Sequence, residues 1–133
     1  MTATIPEEFH ELLRSNVIAI VATLGKNGEP QATPLWFLWD GERVSFSLVE
    51  GRQKLKNLRR DARISVVISN PEKPTWYLEL RGRVDEFVED PERDLERRIA
   101  IKYVGHDADI EPPGTMRYAT RVLVEKVTSQ SGV

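Results

Sequence analysis

The residues of this chain whose types and spacing bear most directly on chemistry lie in Glu50-Gly51-Arg52-Gln53-Lys54-Leu55-Lys56-Asn57-Leu58-Arg59-Arg60-Asp61. Leu55 and Leu58, three apart, share one face of a short helix and dock it, while Gly51 supplies a permissive backbone ahead of the first turn. A helix N-terminus carries partial positive charge and four unpaired N–H groups, so acidic side chains are favoured there. This chain instead places Arg52 and Lys54 at that end. A phosphate bound there would gather backbone N–H groups, the helix dipole and charge-assisted bonds from both cations. The alternative is a solvated helix face, with Glu50 offsetting the charge and Arg59 and Arg60 complementing the C-terminal dipole.

The elements that must position this helix read as strands. With 133 residues the chain is expected to form one domain, 1–133, large enough to bury a real core without staples. It has no Cys, which excludes disulfides, thiolate metal sites and cysteine nucleophiles and fits a reducing cytoplasm. A formal net charge of −2 argues against a general polyanion binder, so the expected partner is a small molecule, not nucleic acid. No apolar run reaches the roughly 20 residues needed to span a bilayer, and the N-terminus lacks a basic region followed by an apolar one. The expectation is a soluble cytoplasmic protein with no membrane partner.

Phe9, Leu12 and Leu13 make a short covering helix after Pro6, and Val17 to Leu24 is a strand apolar on both faces, closed by a turn at Lys26-Asn27-Gly28-Glu29. Gln31 to Trp39 reads as one returning strand, with Leu35, Phe37 and Trp39 on one face and Trp36 and Leu38 on the other. Two apolar faces need a second cover: a helix, a symmetry mate or a bound planar ligand. Pro34 cannot donate to a ladder and so marks an edge or bulge. Arg43 to Val49 is a strand that runs directly into the basic helix, and Ile64, Val66 and Ile68 alternate in the next. Trp76 to Val88 keeps period two through an unusually long strand that bends at Gly82. Asp90-Pro91 then opens a helix carrying Leu95, Ile99 and Tyr103, ended by Gly105, and Tyr118 to Thr128 is a last strand. Consecutive strands with inserted helices predict a mainly β fold: a closed or split barrel of about six antiparallel strands with short covering helices.

Three stretches, read together, carry a family likeness. Thr23-Leu24-Gly25-Lys26-Asn27-Gly28-Glu29-Pro30-Gln31 followed by Pro34-Leu35-Trp36-Phe37, then Gly51 to Arg63, then Tyr77-Leu78-Glu79-Leu80-Arg81-Gly82, resemble the pyridoxamine 5′-phosphate oxidase-like superfamily. Within it the likeness is strongest to deazaflavin-dependent oxidoreductases that use coenzyme F420. The resemblance implies an FMN-binding type of split barrel, homodimeric, with a cofactor at each subunit interface. It implies that Arg52, Lys54 and Asn57 hold the cofactor phosphate, that Thr33, Pro34, Leu35 and Trp36 lie along the tricyclic ring, and that Trp76 stands near the partner's cofactor. The implied activity is hydride transfer between reduced F420 and an unsaturated small molecule. The alternatives are an FMN reductase or oxidase on the same barrel, or a non-catalytic carrier of the cofactor. Full pyridoxamine phosphate oxidases carry a further basic strand and a C-terminal Arg/His signature; Arg43 to Ser47 and Glu125 to Thr128 stand in their places here.

A deazaflavin brings its own hydride chemistry, so no catalytic triad is required and no catalytic residue is assigned. Tyr77, Tyr103 and Tyr118 are candidate proton donors, with Tyr118 the first to test. His106-Asp107-Ala108-Asp109 has metal-ligating types but no third partner outside its own loop, and no metal is expected.

Overall fold

In the computed structural model, which describes residues 2–108 and 111–131, the alternating runs become seven strands. They are β1 (Ala19–Leu24), β2 (Pro30–Leu35), β3 (Leu38–Trp39), β4 (Val44–Val49), β5 (Arg63–Asn70), β6 (Lys73–Glu89) and β7 (Arg117–Gln130). A 3₁₀ turn at Glu7–Phe9 leads into α1 (His10–Arg14); α2 (Gln53–Arg60) and α3 (Asp94–Val104) are the other helices. The strands form a single sheet in the order β2-β1-β5-β6-β7-β4-β3, every ladder antiparallel. The sheet curls around one core, in which Phe9, Leu13, Phe46, Leu55, Leu58 and Leu80 are buried almost completely. β2 and β3 remain as its two edges, giving a split β-barrel with short covering helices.

The strand count is seven where about six were expected, because Gln31 to Trp39 does not continue as one strand. At Trp36 and Phe37 the backbone turns away from the ladder and bonds to α3. Phe37 N–H donates to the Tyr103 hydroxyl at 3.3 Å, and its carbonyl accepts from Lys102 Nζ at 2.9 Å. The chain thereby leaves one edge of the sheet as β2 and joins the opposite edge as β3, paired with β4. The alternation survives the break: Phe37 is fully buried, Leu35 and Trp39 lie against the core, and Trp36 is 40% exposed. Pro34 sits on an edge strand, as its missing N–H requires.

The 17-residue β6 is the spine of the sheet and pairs with both β5 and β7. Its ladder with β7 shifts register between Arg81 and Gly82, the bend anticipated at that glycine. A Cβ on Gly82 would lie 1.9 Å from the Leu123 carbonyl oxygen, so the strands could not keep their spacing with any side chain there. α3 starts where the Asp90 carboxylate accepts from the N–H groups of Asp94 (2.8 Å) and Leu95 (2.9 Å), and ends at Gly105 with φ 82°. Gly82→Ala is expected to destabilise the fold by about 2 kcal/mol or more, read as a lower midpoint in urea unfolding.

Candidate functional site

The basic helix is fixed to the β1–β2 hairpin by one buried amide. Asn57 is 1% exposed. Its Nδ2 donates to Thr23 Oγ1 and to Gln31 Oε1, each at 3.1 Å. Its Oδ1 accepts from Gln53 Nε2 at 2.8 Å and from Arg60 Nη2 at 2.9 Å. Two donor hydrogens and two acceptor lone pairs are thereby filled within the chain. Asn57, placed among phosphate ligands by resemblance, holds α2 in position here and has no hydrogen-bonding capacity left for a ligand.

The second half of the basic stretch is committed in the same way. Arg60 also reaches the Leu24 carbonyl at 3.2 Å, and Arg59 pairs with Glu50 at 2.9 Å beneath the ring of Tyr118. The first half is different. Gly51 turns the chain with φ 93°, no side chain caps α2, and its first turn holds no acidic residue. The Arg52 side chain is 64% exposed and meets Glu111 Oε1 at 3.3 Å. Lys54 is half-buried; burial and then the like charge of Arg52 hold its pKa below the ordinary lysine value.

With Arg60 at the Leu24 end and Asn57 at Gln31, α2 runs along the hairpin with its first turn toward Leu35. One turn back from Asn57 stands Lys54, and two residues on from Gln31, on the same strand face, stands Thr33. Thr33 Oγ1 is buried and has no hydrogen-bond partner among the described residues. A buried hydroxyl without a partner among the described residues, on the strand that Asn57 bonds through Gln31, is a group with hydrogen-bonding capacity to spare.

Beyond this corner opens a groove of about 540 Å³. Pro34, Leu35 and Trp36 line it together with Ile18 and Ile99, so three of the four ring-side residues expected from resemblance share one wall. Its polar lining is Ser47, Glu96, Glu111 and Arg117, none of which was singled out from sequence. Arg117 is 8% exposed; its guanidinium donates to Ser47 Oγ at a long 3.4 Å and lies 4.0 Å from Glu111 Oε1. The β4–β7 register puts Arg117 opposite Val49, at the turn into α2. Arg52 and Arg117 thus share one carboxylate, Glu111, while Lys54 stands near enough to Arg52 for their like charges to interact.

Trp76 lies at the far end of β6, outside the groove lining, with Lys73 over its ring at 5.1 Å. Its buried indole N–H has no acceptor among the described residues. Asp107 is held by Arg93 at 2.6 Å and by Arg97, whereas Asp109 lies outside the described residues. Among the described residues no three His, Cys, Asp or Glu side chains converge as a metal site.

α3 braces the groove wall. The Tyr103 ring stacks on Trp36 with centroids 4.8 Å apart and planes 7° from parallel. Its hydroxyl donates to the Val17 carbonyl at 2.6 Å while accepting from Phe37 N–H. Burial pushes its pKa up to about 12, so this phenol serves as a strut and is poorly suited to release a proton. Lys102 Nζ donates to the carbonyls of Leu13 (3.1 Å) and Phe37 (2.9 Å) over the Phe37 ring. Burial lowers its pKa to about 8. Below that pH the ammonium carries its full desolvation cost in the folded state; between about 8 and the ordinary lysine value the unfolded chain binds more protons, so stability rises with pH. The stability of wild type relative to Lys102→Met is therefore expected to improve from pH 8 to pH 10, measured by urea unfolding of both proteins.

A family model described as pyridoxamine 5′-phosphate oxidase matches residues 5–131. Among solved structures, an F420 reductase superposes with a TM-score of 0.81 at 29% identity, covering 95% of this chain and 100% of that one. A conserved hypothetical protein from Mycobacterium tuberculosis superposes at 0.77 with 23% identity, covering 96% and 85%. HupZ from Group A Streptococcus superposes at 0.68 with 19% identity, covering 95% and 94%, a likeness of fold alone. The family match spans both edges of the split barrel as well as the basic helix and groove between them, and on that extent the chain belongs to the pyridoxamine 5′-phosphate oxidase family.

Proposed function

We propose that this chain is an oxidoreductase that binds coenzyme F420 and passes hydride between the reduced deazaflavin and an unsaturated small molecule. The observation that carries the reading is the pair of cations at the start of α2, whose first turn holds no acidic residue, beside a groove lined by Arg117 and Trp36. The similarity to an F420 reductase over nearly the whole length of both chains supports the deazaflavin over other ring cofactors.

Arg52, Lys54 and Arg117 would hold the cofactor's phosphate, with the unpartnered Thr33 hydroxyl completing the corner. β2 is an edge strand, so its outward N–H and C=O groups are available along the flat ring beside Pro34 and Leu35. The bound deazaflavin supplies hydride transfer. The chain's own tasks are to seat the ring, fix which face meets the acceptor and keep water away with Ile18, Leu35 and Ile99. A groove of about 540 Å³ falls in the range of small-molecule sites.

A second copy of the chain is part of this reading. Ile18 and Ile20 are 40% and 45% exposed on β1 and its approach, beside Trp36 and the open edge of β2. Apolar side chains clustered at an open edge favour a symmetric partner. Light scattering at micromolar concentration is expected to give twice the monomer mass; a monomer would remove the dimer from the proposal.

Titration with F420 and, separately, FMN, followed by fluorescence, tests the cofactor. F420 is expected to bind, and exclusive uptake of FMN would overturn the deazaflavin reading. In the same titration the Arg52→Ala, Lys54→Ala double variant is expected to lose about 3 kcal/mol of binding while keeping its thermal midpoint.

A further inference from the structure

Glu111 is the carboxylate that stands against the cationic corner. Its Oε1 lies 3.3 Å from Arg52 Nη2 and 4.0 Å from Arg117 Nη2, and its side chain is 20% exposed. Both separations exceed the roughly 2.7–2.9 Å of a tight charge-assisted bond, so the carboxylate answers two guanidinium groups without satisfying either fully. The segment that follows fixes its approach. Pro112 and Pro113 restrict the backbone, the Pro112 carbonyl accepts from Thr115 Oγ1 at 2.6 Å and from Thr115 N–H at 3.2 Å, and Gly114 turns the chain with φ 83°. Glu111 is therefore held beside the cations at little cost in chain freedom.

We propose that Glu111 is an internal counter-anion that competes with the ligand's phosphate for Arg52 and Arg117 and so sets how tightly anionic ligands are held; this rests on the anion-binding reading of those two arginines. The resident carboxylate relieves repulsion between Arg52 and Arg117 when no ligand is bound. An arriving phosphate, with more acceptor oxygens, takes over both guanidinium groups but binds against the charge it displaces. Ligands of this groove that lack an anion gain nothing from the exchange.

The test is calorimetric titration of wild type, Glu111→Gln and Glu111→Ala with three probes: coenzyme F420, inorganic pyrophosphate, and the deazaflavin lacking phosphate and tail. Both variants are expected to bind F420 and pyrophosphate about tenfold more tightly than wild type, a gain limited by the exposure of Arg52. The phosphate-free deazaflavin is expected to bind all three proteins alike. Unchanged or weaker binding of the two anionic probes overturns the inference, as does an equal gain for the phosphate-free probe, which would report a loosened groove. If pyrophosphate shows the gain and F420 binds none of the three proteins, the inference stands and the cofactor assignment falls. If no probe binds, both fall.

Discussion

The buried amide of Asn57 is the constraint on which the site depends. It ties α2 to both strands of the first hairpin, through a buried hydrogen bond to Thr23 and a partly buried one to Gln31. Breaking that set would leave the Asn57 amide and the Thr23 hydroxyl buried and unmatched, at about 1–3 kcal/mol each. The placing of α2, and with it of Arg52 and Lys54, follows from those bonds.

Much of this was legible in the sequence because it is local. Period-two alternation located most strands, Gly51 and Gly105 marked turns that adopt positive φ, and Gly82 marked the bend of the longest strand. The basic start of α2 was visible as a violation of helix-end electrostatics. Arg117 was not visible, because its place at the site comes from the pairing of β4 with β7, strands far apart in the chain. The same holds for Glu111 and Ser47. Asn57 was legible as special but not in its role, since its four partners lie on two strands and its own helix.

The break at Trp36 and Phe37 shows how tertiary contacts override a local pattern. Alternation there is sound, and the inward and outward faces are as read, yet the ladder stops because α3 offers the backbone better-placed partners. One segment thereby supplies two edges of a single sheet and an aromatic wall between them. Tyr103, one of three candidate proton donors by residue type, contributes its ring and its hydroxyl as fixed geometry.

The contacts that brace this wall join residues 65 to 89 positions apart. Contacts of such high order form after the local hairpins, since the intervening chain must be ordered first. During synthesis the segment holding Trp36 has no brace until α3 has left the ribosome. The groove is thus completed late, around a first hairpin already in place, and the cationic corner later still, since Arg117 on β7 follows α3 in the chain.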